Sequence, residues 1–141
     1  MPRRTDKPTE QPIPSNPTKR ANPTKRVPAF FFRTQRGNEP VRDWLRQDLT
    51  ANERKAAGED IKTVEYGWPI GMPTCRSLGD GLHEVRTNLP GRIARVLFYV
   101  DADQRMVLLH GFIKKSQKTP EADLTIARAR KAEHEEDVDN A

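Results

Sequence analysis

Three apolar segments joined by very short turns set most of what this chain can fold into. Residues 82–88 alternate between apolar and polar and run into Leu89-Pro90-Gly91. Residues 93–100 follow and stop at Asp101-Ala102-Asp103, and residues 106–113 come next. Turns this short can only bring the chain back beside itself, so the three segments are expected as an antiparallel meander. The second and third are apolar at successive positions, which predicts central strands covered on both faces.

The covering elements can be read from their start and stop signals. Ala29-Phe30-Phe31-Phe32-Arg33-Thr34 is expected as a first strand. Asn38 is placed to cap a helix with Pro40 at an early position that needs no N–H, and Val41, Trp44, Leu45 and Leu49 share one face. Thr50 and Glu53 form a capping box for a second helix with the stripe Ala57, Ile61, Val64, which Gly67 and Trp68-Pro69 end. Residues 68–81, rich in glycine and proline, read as a loop containing Cys75. Thr119-Pro120-Glu121 starts a final helix to about residue 136, with Leu124, Ile126 and Ala129 for packing. The fold class is therefore α+β: an N-terminal strand and two-helix hairpin, then a sheet meander of four or five strands in all, then a C-terminal helix.

Charge is unevenly spread over the 141 residues. Residues 1–28 hold seven basic and two acidic residues and seven of the twelve prolines. They are expected to be a disordered basic tail, repeating Asn-Pro-Thr-Lys-Arg at 16–20 and 22–26. Such an arm can add sequence-independent affinity for a polyanion. Residues 29–136 form the predicted globular domain, and 137–141 an acidic disordered tail. Residues 29–120 carry fifteen basic and eleven acidic side chains, against three and seven in 121–141. This asymmetry suggests an anionic partner on one side. The lone Cys75 excludes an internal disulfide, and no Cys/His spacing suggests a metal site or a cofactor. No apolar run is long enough for a membrane span, and no apolar segment follows the basic N-terminus as in a secretory signal. A cytoplasmic protein is expected.

Three motifs carry a resemblance. Leu78-Gly79-Asp80-Gly81-Leu82-His83-Glu84-Val85-Arg86 is similar to the LGDGLxELR segment of phage-derived HigB-like proteins. Arg95-Val96-Leu97-Phe98-Tyr99 resembles their RVLFY strand. Leu108-Leu109-His110-Gly111-Phe112-Ile113-Lys114-Lys115-Ser116-Gln117-Lys118-Thr119-Pro120 resembles their LLHGFxKKtqKTP signature. That branch belongs to the RelE/ParE-like toxins of toxin–antitoxin pairs, and the likeness runs over about residues 29–136. It implies a small RelE-like domain and a ribosome-dependent mRNA endonuclease that inhibits translation. It also implies a cognate helix-turn-helix antitoxin. ParE-like relatives with the same fold act on gyrase, so a gyrase poison is one alternative. A non-catalytic RNA or ribosome binder is another.

RNA supplies its own nucleophile, so such a reaction needs no metal. The 2′-OH attacks the adjacent phosphorus and the 5′-oxygen leaves. The enzyme must move two protons, stabilise the crowded anion and hold the atoms in line. Arg95 matches the strand arginine of the resemblance and is the expected anion stabiliser, through its planar fork. Lys115 and Lys118 are the proton-transfer candidates, with crowding by other cations expected to make a lysine usable as a base. Arg86, Arg92, Lys114 and His83 are expected RNA contacts. Thr119 is expected to cap the final helix, His110 to be a hydrogen-bonded core histidine, and Glu84 to pair with an arginine. Trp44 and Trp68 read as packing residues.

Overall fold

The computed structural model describes residues 24–114 and 118–139. They form β1 (Ala29–Phe31), α1 (Pro40–Asp48), α2 (Ala51–Gly67), β2 (Cys75–Gly79), β3 (Leu82–Leu89), β4 (Arg92–Val100), β5 (Met106–Lys114) and α3 (Glu121–Asp139). The five strands make one sheet in the order β1-β5-β4-β3-β2. β3, β4 and β5 are the antiparallel meander read from their turns, and Gly91 takes the left-handed φ of 73° that the β3–β4 turn requires.

The sheet is wider and more mixed than the meander alone. β2 lies within the stretch read as a loop and pairs antiparallel with β3. Its return rests on Gly79, Asp80 and Gly81, all with left-handed φ (89°, 55° and 79°), so a strand of five residues turns back sharply. Cys75 accordingly opens a strand and is buried in the core. β1 is shorter than expected and pairs with β5 in parallel, at the far edge.

Helices cover both faces. Val41 of α1 and Ile61 and Val64 of α2 pack on Val85, Val96 and Phe98; Leu124 and Ala127 of α3 pack on Leu82, Leu97 and Leu109 across the sheet. The Thr50–Glu53 capping box forms in full, with both reciprocal bonds. The α1 cap falls on Glu39 rather than Asn38, and no side-chain bond closes it; Pro40 takes the first helical position.

α3 docks by a different face from the one its apolar residues suggested. Ala127 is buried, whereas Ile126 and Ala129 are exposed. The rest of the docking face is polar: Asp123 bonds His110, Arg130 donates to the Leu109 carbonyl at 2.8 Å, and His134 bonds the Tyr99 hydroxyl. A β-bulge leaves Leu109 as the extra residue between the pairs Leu97–His110 and Phe98–Leu108, so Leu109 and His110 both turn toward α3. The helix runs on to Asp139, three residues past the expected end.

The ordered domain also starts earlier than expected. Val27 is fully buried, the amides of Arg26 and Val27 donate to the Glu65 carbonyl, and Lys25 pairs with the Glu65 carboxylate at 3.1 Å. Residues 24–28 therefore belong to the fold. Residues 1–23, the rest of the expected tail, lie outside the described residues.

Gly111 has a steric reason to be glycine. A Cβ built there would lie 2.3 Å from Cε3 of Trp44, the indole through which α1 packs on β5. Gly111→Ala is expected to force the ring off its seat and lower stability by about 1–3 kcal/mol, read as a drop in the urea midpoint.

Candidate functional site

Register decides which expected site residues can act together. Residues directly opposite in neighbouring strands share a face. Arg86 of β3 lies opposite Arg95 of β4, and Arg95 lies opposite Phe112 of β5. One row toward the end of β5, Ile93 faces Lys114; one row the other way, Glu84 lies opposite Arg76 and Leu97, and Leu97 opposite His110. His110 bonds α3 and Leu97 packs in the α3-side core, so these rows lie on the α3 face. The residues that lead into α3, Lys118 to Pro120, close over this face: the Thr119 hydroxyl donates to Glu84 Oε1 at 3.0 Å.

At the centre is a buried ion pair. Glu84 and Arg95 are both wholly buried, with Arg95 Nη1 3.4 Å from Glu84 Oε1. The open guanidinium expected of Arg95 is therefore not what the fold presents. Its strand position lies on the α3 face, but its side chain is wholly buried, and its Nη1 is turned to a carboxylate. The expectation that Glu84 pairs with an arginine holds. Arg86 is the rim cation: its Nε lies 3.9 Å from Glu84 Oε2, its side chain keeps 12% of its surface exposed, and its Nη1 touches the Met72 sulfur at 4.0 Å. Lys114 is half-buried at the end of β5 and Lys118 is exposed. Lys115 lies outside the described residues. Thr119, expected as a helix cap, is buried and directs its proton to Glu84.

Two candidates fall on the opposite face. His83 is one residue out of phase with Glu84 and Arg86, and its ring packs edge-on to Trp68 at 4.8 Å and stacks on Phe98 at 5.4 Å. Arg92, out of phase with Arg95, forms an ion pair with Glu53, the carboxylate of the α2 capping box. The Thr50 amide, with Arg92 behind it, holds the Glu53 carboxyl below its ordinary 4.5. The fold thus gathers Arg86, Arg95, Lys114 and Lys118 on one side and sets His83 and Arg92 on the other. Strand alternation, counted from Glu84 and Arg95, was the signal that could have separated them.

Burial pushes His83 below its ordinary value of 6.5. The unfolded chain therefore takes up this proton first as pH falls. The contribution of neutral His83 to stability is full above about 6.5 and is lost as pH drops through the lower folded value. Between pH 7.5 and 5.5 the melting temperature should fall more steeply for the native protein than for His83→Phe. Equal slopes would show that His83 is not held neutral.

His110 is fixed from both sides. Its Nε2 lies 2.6 Å from Asp123 Oδ1, and its Nδ1 is 3.5 Å from the Arg130 guanidinium. Arginine cannot accept, so Nδ1 presents its lone pair and the Nε2 proton goes to Asp123. Cys75 is chemically quiet: burial, and then the charge of Glu84, pushes its thiol up to about 11. Among the described residues no group of three or more His, Cys, Asp or Glu could hold a metal ion, and no helix is long and apolar enough to cross a membrane.

One family model matches this region of the chain. The sequence profile described as Phage derived protein Gp49-like (DUF891) matches residues 43–132, from within α1 into α3, and so spans the whole candidate site. No curated protein matches the chain. The family is phage-derived and toxin-like, is related to the RelE-type toxins, and implies an antitoxin partner. With well over half of its length matched, the chain belongs to the Phage derived protein Gp49-like family.

Proposed function

We propose that the chain is a RelE-like toxin of the HigB-like branch, the toxin half of a type II toxin–antitoxin pair, and that it cuts mRNA on the ribosome. The observation that carries this reading is the row in which Arg86 stands beside Arg95, with Lys114 and Lys118 at its edge, in a chain of a toxin-like family. The reaction is acyl-free phosphoryl transfer within the RNA. The 2′-oxygen bonds to phosphorus, the bond to the 5′-oxygen breaks, one proton leaves the 2′-OH and one arrives at the 5′-oxygen.

The roles follow from access. Arg86, at the rim, grips the scissile phosphate with its fork. Arg95 lies beneath it as the counter-ion of Glu84 and adds fixed positive potential to the place where charge develops. Lys118, with Lys115 beside it in sequence, handles the protons, and Lys114 contacts the backbone of the message. The basic N-terminal segment adds affinity that falls with salt. A helix-turn-helix antitoxin is the expected partner, and the cytoplasm, where messages are translated, the expected place of action.

Induced expression in a bacterium, with the 5′ ends of its messages mapped, tests this reading. New ends within translated frames, absent when a start codon is removed, are the expected result. DNA breaks without message cuts would point to a gyrase poison. Growth arrest with intact messages would point to a non-catalytic ribosome binder.

A further inference from the structure

We propose that Thr119 is a positioning residue, which holds the neighbouring Lys118 in place through the buried Glu84 carboxylate; this rests on the endonuclease reading above. The Thr119 side chain is buried, and its hydroxyl donates to Glu84 Oε1 at 3.0 Å. The same oxygen lies 3.4 Å from Arg95 Nη1, and the other carboxylate oxygen lies 3.9 Å from Arg86 Nε. One buried carboxylate thus ties together the two arginines of the site and the segment that carries the exposed lysine. A hydrogen bond from a buried hydroxyl to a charged acceptor is directional, and it restrains the backbone next to it.

The rest of α3 is held by other means. Leu124 and Ala127 pack in the core, Asp123 bonds His110, and Arg130 bonds the Leu109 carbonyl. These contacts fix the helix from Asp123 onward; the Pro120 carbonyl accepts from the Asp123 and Leu124 amides, and the Thr119 bond adds the tie from this junction to the sheet. The threonine hydroxyl therefore supports the approach to the helix, where Lys118 sits, more than the helix itself. A reacting group displaced by about an ångström can lose roughly a hundredfold in rate.

The test compares Thr119→Val, which keeps shape and leaves the Glu84–Arg95 pair intact, with Thr119→Ser, which keeps the hydroxyl. Single-message cleavage is followed on programmed ribosomes, together with amide exchange at Lys118 and Thr119 and at 124–130. In Thr119→Val, kcat should fall roughly tenfold to a hundredfold with KM unchanged. Exchange should quicken at Lys118 and Thr119 but not at 124–130. Thr119→Ser should restore both. The inference is overturned if Thr119→Val cuts at the native rate, if Thr119→Ser is as slow as Thr119→Val, or if exchange quickens equally along α3. Those outcomes leave the endonuclease reading standing, because the native protein still cuts. A native protein that cuts nothing overturns both.

Discussion

Arg95→Ala should cost much of the protein's stability before it informs on chemistry. Arg95 and Glu84 are both wholly buried and face one another at 3.4 Å. Removing the guanidinium leaves a carboxylate in the interior without its nearest counter-ion, which typically costs about 3–5 kcal/mol. The emptied volume adds to this loss. A domain of this size has roughly 5–15 kcal/mol of stability in total, so one substitution removes a large part of it. Glu84→Ala should be of similar severity, because it strands the arginine and takes the acceptor from Thr119. The double variant Glu84→Gln, Arg95→Met should recover much of the loss, since it leaves neither member of the pair charged and keeps an acceptor for the hydroxyl. Urea denaturation of the three variants reads this directly. A native midpoint for Arg95→Ala would mean that the pair is not closed as described.

Arg86→Gln should do the opposite: it should leave the fold standing and slow cutting roughly 10²–10³-fold. Arg86 reaches Glu84 only at 3.9 Å, and of the two arginines in its row it is the one with exposed surface. Glutamine keeps part of the stem that covers Glu84 but has neither the fork nor the charge. Losing one preorganised donor to a developing anion costs about 2.7–4 kcal/mol of transition-state stabilisation, roughly 10²–10³ in rate. The urea midpoint should move much less than in Arg95→Ala. Cleavage that persists at the native rate in a folded Arg86→Gln would take the phosphate grip away from this residue.

What could be read from the sequence divides along physical lines. The Thr50–Glu53 box, the Ala57-Ile61-Val64 stripe and the turn at Gly91 were legible because each is encoded within a few residues. The meander was legible because its turns are too short for any other connection. β2 was not, since its five residues sit between a Gly/Pro-rich stretch and a Gly-Asp-Gly return. The parallel pairing of β1 with β5 depends on contacts more than seventy residues apart in the chain, such as Ala29 with Met106, and no local pattern records it. The docking face of α3 was hidden because it is built from Asp123, Arg130 and His134, so apolar periodicity pointed elsewhere.

The site was half legible. Chemical type singled out the arginines and lysines, and the pairing of Glu84 with an arginine was anticipated. Burial was not. Nothing near Arg95 in sequence says that its side chain is buried against Glu84, 11 residues before it, which Thr119 also bonds. In the proposed mechanism, this burial moves the phosphate grip from Arg95 to Arg86. The Gp49-like match supplies the family and leaves this division of labour to the geometry.

The central claim is that fixed arginine and lysine groups make a translated message break at its own 2′-OH. The sharpest check maps both ends of messages from a purified translation system treated with the native protein, at the magnesium concentration that ribosomes require. Expected are a 5′-hydroxyl on one fragment and a cyclic or 3′-phosphate on the other, only when ribosomes are present, both far slower to form with Arg86→Gln. Whole messages, or fragments with 5′-phosphate ends, would contradict it.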